Sequence, residues 1–368
     1  MCGIVGATAQ RNVYKILIEG LHRLEYRGYD SAGLSILDSD NVLQTRKTIG
    51  KVADLEAVCK GNFVSGNTGI SHTRWATHGA PSSTNSHPHV SSGISIVHNG
   101  IIENHEVLRE EMIAAGYEIQ SDTDSEVIAH LIHQQLETCS DLREAVNKTI
   151  ARLRGAYALG VMSDEYPGLI IGARSGSPLV VGVGMDEHFI ASDQMALRQV
   201  TDRFVYLEEG DVVELSSEAY TVFGANGKAV KRELHQLSET DQIADKGQYR
   251  HFMQKEMFEQ ATVLADTFAG RIGTDHILEA VFGHQAEGLF AQTKNIHIIA
   301  CGTSFHSGLV AKYWLEDMAG VPCQVEVASE YRYRKVAVPE GTLFITISQS
   351  GETADTLAAL HKAKESGY

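Results

Sequence analysis

A cysteine stands at the second position of the chain, in the opening sequence MCGIVG. Removal of the initiator methionine, which is usual before a small second residue, leaves a thiol and a free α-amine on one residue. The amine can then serve as the base for the thiol, as in other terminal nucleophiles. Cys2 also fits a small core position, since buried cysteines usually behave as apolar residues. Gln10, Arg11 and Asn12 interrupt the apolar residues too early for a secretory leader.

The segment HTRWATHGAPSS, residues 72–83, ends a predicted strand with groups suited to a polar ligand: Arg74, Trp75, Thr77 and His78. The planar fork of an arginine matches the two oxygens of a carboxylate. A surface loop anchored by one tryptophan explains the same residues equally well.

The segment IVHNGII contains Asn99 and Gly100, and Asn-Gly is the strongest short signal for a hairpin turn. A second strand should then follow, but the apolar residues between Asn104 and Gly116 recur at helical spacing instead: Val107, Leu108, Met112 and Ile113. This weakens the turn interpretation. A glycine N–H beside an asparagine side-chain amide is also a suitable pair of donors for a developing oxyanion.

The segment SDTDSE opens a predicted helix. Thr123 and Glu126 fit a capping box, and the apolar stripe that follows consists of Val127, Ile128, Leu131 and Ile132. The helix dipole explains Asp124 in the first turn without any ligand. The alternative role for Asp124 is to bind the ammonium group of a substrate.

These segments lie among short strands that run from about Ser31 to Leu215, separated by Gly, Asn and Ser turns. Residues 3–8 form another strand candidate, and Asn12 is suited to cap a helix with apolar residues at helical spacing: Val13, Ile16, Leu17, Leu21 and Leu24. Many strands with few helices favour an α+β domain.

The character of the chain changes near residue 235. The polar stretch 236–248 is predicted to be a linker, and it leads into a helix that carries Phe252, Met253, Met257 and Leu264. Buried-type strands then alternate with helices, which favours a doubly wound parallel sheet over residues 249–368. About three strands are present, fewer than the 5–6 of a typical sheet. We therefore expect this domain to be truncated in the present chain.

Two hydroxyl-rich turns follow strands of this second domain, CGTSFHSG at 301–308 and SQSGETADT at 348–356. In a doubly wound sheet, ligands lie beyond the carboxyl ends of the strands. A Ser/Thr/Gly turn that opens a helix offers free N–H groups to a phosphate. A single such turn is explained by helix capping alone, but two of them favour a phosphate site. Neither turn has the Walker pattern of a nucleoside triphosphatase.

The composition argues against several classes of protein. The net charge of −16 argues against nucleic acid as a partner, and no apolar run approaches the ~20 residues that span a membrane. Five scattered cysteines favour the reducing cytoplasm over a disulfide framework. We expect no metal, since no helix carries the H-E-x-x-H spacing, and we expect no cofactor. His87 and His89 are interpreted as loop or inter-domain contacts.

Taken together, the motifs of the first domain resemble those of the glutaminase domain of N-terminal-nucleophile amidotransferases. The resemblance covers residues 2–235 and rests on the following segments in order: Cys2-Gly-Ile-Val-Gly, Arg27-Gly-Tyr-Asp30, His72-Thr-Arg-Trp-Ala-Thr-His78, His98-Asn-Gly100 and Asp124. It implies a four-layer α/β/β/α sandwich that releases ammonia from L-glutamine.

The same resemblance implies a role for each residue. Cys2 would attack the amide carbon while its own amine moves the proton, and Asn99 with the N–H of Gly100 would hold the oxyanion. Arg74 would bind the α-carboxylate of glutamine and Asp124 its α-ammonium. Trp75, Thr77 and His78 would complete the glutamine pocket.

The second domain resembles the sugar isomerase (SIS) fold in its CGTS and SQSGET segments. The resemblance implies that fructose 6-phosphate is bound by Thr303, Ser304, Ser348, Gln349, Ser350 and Thr353. Ammonia would pass through a channel gated by the Trp75 indole and yield glucosamine 6-phosphate. A homodimer through the SIS domain is implied for the full-length protein.

The family carries a second SIS subdomain and a C-terminal tail, which these 368 residues lack. We therefore expect this fragment to act as a glutaminase only. Two alternatives remain: a sugar-phosphate sensor without catalysis, which leaves Cys2, Arg74, Asn99 and Asp124 unexplained, and a different N-terminal-cysteine amidotransferase. An amidotransferase acting on phosphoribosyl diphosphate would need an acidic diphosphate motif that is not seen after residue 235.

Overall fold

The structure is a computed structural model that describes residues 2–237, 249–273, 276–283, 286–348 and 353–368. Its internal contacts divide the chain into two compact units, residues 1–284 and 285–368. The predicted linker, residues 236–248, lies almost entirely outside the described residues and stays a prediction. The first residue of this range, Gln236, ends the strand Leu234–Gln236.

The first unit contains fifteen of the strands and six of the helices in the described residues. The strands are β1 (Gly3–Ala9), β2 (Ser31–Leu37), β3 (Leu43–Ile49), β4 (Thr68–Arg74), β5 (His89–Ser91), β6 (Ile94–Ile102), β7 (Gly155–Ser163), β8 (Ile170–Ser175), β9 (Val180–Val183), β10 (Glu187–Ala191), β11 (Arg203–Tyr206), β12 (Val212–Leu215), β13 (Tyr220–Phe223), β14 (Ala229–Val230) and β15 (Leu234–Gln236). The helices are α1 (Tyr14–Leu24), α2 (Val52–Gly61), α3 (His105–Ala114), α4 (Glu126–Leu136), α5 (Leu142–Ile150) and α6 (Phe252–Phe268).

These strands form two antiparallel sheets. The larger sheet has the order β15-β11-β9-β10-β1-β4-β2-β3, and the smaller has the order β14-β13-β12-β8-β7-β6-β5. Three apolar cores separate four layers: one lies under α1 and α2, one lies between the sheets, and one lies under α3, α4 and α5. The predicted α/β/β/α sandwich of an α+β domain is confirmed.

Small residues let the two sheets approach each other. A Cβ at Gly6 on β1 would lie 2.7 Å from a side-chain carbon of Ile190, and a Cβ at Gly160 on β7 would lie 2.9 Å from another. Ile190 is fully buried in the core between the sheets. Strand β1 is buried on both faces for the same reason, since one face meets the helices and the other meets the second sheet.

The predicted helix ends are close to the observed ones, with differences in the caps. Asn12 accepts a hydrogen bond from the Tyr14 N–H at 3.0 Å, one position ahead of the N-cap of α1. Thr123 accepts from the Glu126 N–H as the capping box requires. The Glu126 carboxylate, however, accepts from the N–H groups of Gln120 and Ser121 instead of returning to Thr123.

Asn99 and Gly100 lie inside strand β6 and form no hairpin turn. They pair with Ala158 and Tyr157 on β7, and the strand continues to Ile102 before α3 begins. The helix predicted after Asn104 is therefore confirmed. Strand β7 pairs continuously with β6 through Asn99 and Gly100, which keeps both residues in the strand.

The second unit is a parallel α/β fold. Its helices are α7 (Ala286–Gln292), α8 (Gly302–Ala319), α9 (Ala328–Tyr331) and α10 (Ala354–Glu365), and its strands are β16 (Asn295–Ala300), β17 (Cys323–Val327) and β18 (Thr342–Ile347). The order is β17-β16-β18, with both pairs parallel. This arrangement confirms the predicted doubly wound sheet. Within the described residues, no helix is long and apolar enough to cross a membrane.

Candidate active site

Cys2 lies immediately before β1, beside the end of β4. The two strands pair antiparallel with Gly3 opposite Thr73, so the start of one meets the end of the other. The contact is tight, since a Cβ at Gly3 would lie 2.7 Å from the Thr73 hydroxyl and 2.8 Å from Leu24. Strand pairing therefore brings Cys2 next to Arg74, although 71 residues separate them.

The thiol of Cys2 is held by the backbone of Trp75. The Trp75 N–H donates to Sγ at 3.2 Å, and Sγ lies 3.6 Å from the Trp75 carbonyl oxygen. Burial raises the pKa of the Cys2 thiol, and the Trp75 N–H bond opposes this only in part. The thiol is therefore protonated near neutral pH and needs a base before it can attack an amide.

Asp30 holds the turn that presents this N–H group, a role that the sequence did not assign. Its Oδ2 accepts from the Ala76 N–H at 2.5 Å, and its own N–H donates to the Arg74 carbonyl at 2.8 Å. Asp30 thus fixes the backbone on both sides of Trp75. Its place in the RGYD motif marked it as part of the resemblance, but not as a support of the thiol.

Asn99 and Gly100 approach Cys2 from the second sheet. The Asn99 Nδ2 group donates to the Cys2 carbonyl oxygen at 3.3 Å, which shows that the amide faces the nucleophile. Gly100 has φ of +136°, and a Cβ there would lie 1.9 Å from the carbonyl oxygen of Ala156. Only glycine fits this position, because both the backbone angle and the neighbouring strand exclude a side chain.

Arg74 is only 3% exposed, and one nitrogen of its guanidinium group has no hydrogen-bond acceptor among the described residues. Its Nη2 group donates to the carbonyl oxygens of His78 and Gly79, the latter at 3.1 Å. Its Nη1 group is buried and has no hydrogen-bond partner among the described residues. A buried cationic N–H without an acceptor is costly, so this group is suited to an incoming anion.

Asp124 lies near Arg74 and beside His78. Its Oδ2 accepts from the Ile102 N–H at 2.8 Å, and its Oδ1 lies 3.8 Å from Nδ1 of His78. Burial alone would raise the pKa of Asp124, but the His98 and His78 rings and the Ile102 N–H outweigh it and hold the pKa below its ordinary value. The carboxylate is therefore ionised at neutral pH and is suited to a cation.

The remaining predicted residues of this pocket lie in the loop after β4. Trp75 is 43% exposed, and Thr77 and His78 are half-buried. The His78 ring meets His105 edge-on, with centroids 4.8 Å apart. Thus the structure brings the loop, Cys2, Asn99, Gly100 and Asp124 together at one end of the two sheets.

His87 lies in the loop before β5, as predicted, whereas His89 is the first residue of β5. Both are buried in the first unit, and their rings lie 4.6 Å apart, centroid to centroid. The His87 ring also lies 4.2 Å from His72, which is fully buried and was not singled out from the sequence. In the described ranges, no group of three or more His, Cys, Asp or Glu side chains is arranged so that it could hold a metal ion.

In the second unit, the hydroxyl-rich turns follow adjacent strands. Thr303 and Ser304 lie in the first turn of α8 after β16, whereas Ser348 follows β18 and lies 3.4 Å from the Thr353 hydroxyl. Strands β16 and β18 pair in parallel, with Ala300 opposite Ile347. Both turns are therefore at the carboxyl edge of one sheet. Gln349 and Ser350 lie outside the described residues.

Comparisons with known proteins agree with this division. Residues 72–199 match the family model described as a glutamine amidotransferase domain, and residues 289–368 match the SIS domain. The chain is 58% identical to a glutamine–fructose-6-phosphate aminotransferase (isomerizing) of Pseudomonas putida. It is 54% identical to the protein of that name from Legionella pneumophila strain Paris. Both alignments cover 100% of this chain. The chain is therefore similar along its whole length to these aminotransferases.

The chain spans 60% of the length of the Pseudomonas relative and 61% of the Legionella one. Among solved structures, a glutamine phosphoribosylpyrophosphate amidotransferase from B. subtilis superposes with a TM-score of 0.55 at 20% identity, over 92% of this chain and 69% of its own. This likeness concerns the fold alone. The chain is more than half identical in sequence to the two aminotransferases, and 20% identical to the phosphoribosylpyrophosphate enzyme.

Gly100→Ala is expected to destabilise the first unit by about 3 kcal/mol or more, because the new Cβ collides with a backbone oxygen and the φ angle is strained. The measurement is urea unfolding followed by the fluorescence of Trp75, in a background where the exposed Trp314 is replaced by Phe. The sequence contains only these two tryptophans.

Gly61→Ala is the matched control. Gly61 ends α2, and no atom lies within 4 Å of a Cβ built there. We expect a change within about 0.5 kcal/mol. Equal stability of the two variants would show that β6 and β7 can separate at Gly100, contrary to the packing described above.

Proposed function

We propose that the first unit hydrolyses L-glutamine at Cys2, and that the protein to which this chain corresponds transfers the ammonia to fructose 6-phosphate, giving glucosamine 6-phosphate. The observation that carries the proposal is the arrangement at one end of the sheets. A thiol, an amide donor, a buried guanidinium group without an acceptor and a buried carboxylate lie near one another there. Glutamine carries a matching amide, carboxylate and ammonium.

Two groups account for binding of the amino-acid part. Arg74 would receive the α-carboxylate at its unsatisfied Nη1 group, which removes the cost of leaving that group without an acceptor. Asp124 would receive the α-ammonium. Thr77 and His78 in the loop after β4 would complete the pocket. Because each charge of glutamine meets a fixed opposite charge, the side-chain amide is directed to Cys2.

The reaction then needs a base, since burial keeps the Cys2 thiol protonated. Removal of Met1 would free the α-amine of Cys2, which takes the thiol proton as sulfur attacks the amide carbon. The oxyanion that forms would accept hydrogen bonds from Asn99 Nδ2 and the Gly100 N–H. The protonated amine then donates its proton to the leaving ammonia, and water hydrolyses the thioester to glutamate.

The second unit would hold the sugar phosphate. The hydroxyl groups of Thr303 and Ser304, with the free N–H groups of the first turn of α8, suit a phosphate. Ser348 and Thr353 lie at the neighbouring strand end, and Gln349 and Ser350 complete the predicted set. In the whole protein, the Trp75 indole would control release of ammonia. We place the protein in the cytoplasm as a homodimer that uses neither nucleic acid nor a membrane.

The first test is the intact mass of the purified chain before and after treatment with 6-diazo-5-oxo-norleucine, a glutamine-shaped electrophile. We expect loss of Met1 and one adduct at Cys2, because only a terminal cysteine has its own amine as base. A retained Met1 on an active chain, or an adduct elsewhere, would contradict the proposal. It would favour the sugar-phosphate sensor without catalysis.

Two controls accompany this experiment. Cys2→Ala should give no adduct, whereas Cys139→Ala, at a half-buried cysteine outside the pocket, should label like the unsubstituted chain. An excess of L-glutamine should slow labelling of Cys2, since it occupies the same pocket.

Asn99→Ala is expected to lower the kcat of glutamine hydrolysis by about 10²–10³-fold, because it removes one oxyanion donor. The KM should change little, since Asn99 is not proposed to bind the amino-acid part. Steady-state glutamate release measures both constants. Asn226→Ala, in an exposed turn of the first unit, is the control and should leave both unchanged. An unchanged kcat in Asn99→Ala would remove Asn99 from the mechanism.

Thr303→Val combined with Ser304→Ala is expected to weaken binding of fructose 6-phosphate by about tenfold or more, through the loss of two hydroxyl hydrogen bonds. Titration calorimetry measures the dissociation constant for fructose 6-phosphate. Thr293→Val, at the end of α7 and away from both turns, is the control. Equal affinity of the double variant and the unsubstituted chain would contradict the assignment. If the unsubstituted chain does not bind fructose 6-phosphate, the 368 residues of this chain are not sufficient for sugar-phosphate binding.

A further inference from the structure

His72 links the two sheets directly behind the nucleophile. It lies on β4, two residues before Arg74, so both side chains are on the same face of the strand. It is fully buried. Its Nε2 atom lies 3.0 Å from the carbonyl oxygen of His98 and 2.9 Å from Oδ1 of Asn99, both on β6 of the second sheet.

The backbone carbonyl of His98 determines which nitrogen of His72 carries the proton. A carbonyl oxygen can only accept, so Nε2 must be the donor. Burial lowers the pKa of His72 to about 3, so the ring is neutral at working pH and has a single N–H group. The other nitrogen, Nδ1, is buried and has no hydrogen-bond partner in the part of the chain that the structure describes.

This N–H group in turn determines the direction of the Asn99 amide. If the amide were rotated by 180°, its NH2 group would face the N–H of His72, and its oxygen would face the Cys2 carbonyl oxygen. Two donors would then meet on one side and two acceptors on the other. The observed direction satisfies both contacts, with Nδ2 donating to the Cys2 carbonyl at 3.3 Å. The backbone carbonyls of His98 and Cys2 thus require the same orientation of the Asn99 side-chain amide.

We propose that His72 is a positioning residue: as a neutral Nε2 donor, it holds the Asn99 amide so that the NH2 group faces the reacting carbonyl at Cys2. The inference rests on the proposed glutaminase function and extends it to a residue that touches no substrate. An oxyanion donor is effective only when its direction is set before the charge develops. His72 supplies this direction from outside the pocket.

The neighbouring groups explain why an imidazole can serve here without becoming charged. The His87 ring lies 4.2 Å from the His72 ring, centroid to centroid, and the Arg74 guanidinium and His98 are also close enough to disfavour a second cation. Burial likewise lowers the pKa of His87. A neutral donor has one further advantage, since it adds no positive charge that would compete with the substrate ammonium for Asp124 or with Arg74 for the substrate carboxylate.

The test compares His72→Met with His72→Gln. Methionine is close to histidine in size and lacks a donor, whereas the glutamine amide reaches about as far as Nε2 and has an NH2 group for the same two acceptors. We expect His72→Met to lose about 10–100-fold in kcat for glutamine hydrolysis with KM within about twofold. His72→Gln should recover most of kcat. Equal loss in both variants, or a loss carried by KM, would overturn the proposal.

A second readout isolates the oxyanion site from binding of the amino-acid part. The γ-aldehyde analogue of glutamate can add the Cys2 thiol and form an oxyanion-like centre, whereas glutamate contacts only the ground-state pocket. His72→Met should raise the inhibition constant of the aldehyde about 10–100-fold and that of glutamate less than twofold. Parallel shifts for the two inhibitors would overturn the proposal.

Nitrogen-15 NMR of the unsubstituted, histidine-labelled chain tests the proton position without any variant at His72. We expect a neutral ring protonated at Nε2 at pH 7, and a ring protonated at Nδ1 or at both nitrogens would overturn the proposal. Labelling of Cys2 by the glutamine-shaped electrophile distinguishes failure of the proposed glutaminase function from failure of the proposed role of His72. If Cys2 does not react in the unsubstituted chain, the glutaminase function fails, whereas normal labelling with equal His72 variants rejects only the role of His72.

Discussion

The antiparallel pairing of β1 with β4 is the contact on which the arrangement of the candidate active site depends. It places Gly3 opposite Thr73, so that Cys2 lies beside Arg74 and under the Trp75 N–H group. A shift of one residue in this register would turn every side chain of β1 to the opposite face. The close contacts of Gly3 with Thr73 and Leu24 resist such a shift, because any side chain at position 3 would collide with them.

The second sheet completes the site through β6, and the link between the sheets is polar at this end. Elsewhere the two sheets meet through apolar side chains such as Ile70, Val97 and Ile190. Near Cys2 the contacts are instead hydrogen bonds between His72 and Asn99 and between Asn99 and the Cys2 carbonyl. Directional bonds hold donors at fixed angles, which apolar packing alone does not do.

Buried charges concentrate in the same place. Arg74 and Asp124 are each only 3% exposed, and the Nη1 group of Arg74 has no acceptor among the described residues. Buried charged groups without a partner cost free energy. The surrounding sandwich tolerates this cost because its three apolar cores are extensive. A ligand with complementary charges recovers the cost on binding, which is how a stable fold can hold a site ready for one class of substrate.

The sequence by itself predicted the α+β class and several helices from local patterns, and the resemblance of its motifs to a known family pointed to the residues of the candidate site. Helical spacing after Asn104 and the stripe in α4 predicted helices that the structure has. The tertiary structure alone decided that Asn99 and Gly100 belong to a strand, that Asp30 supports the Trp75 N–H, and that His72, His87 and His89 are buried together. These features depend on partners that are distant in the chain, such as Tyr157 for Gly100, Ala76 for Asp30 and Asn99 for His72. Residue type shows what a side chain can bond, but only the pairing of distant strands determines which partner it meets.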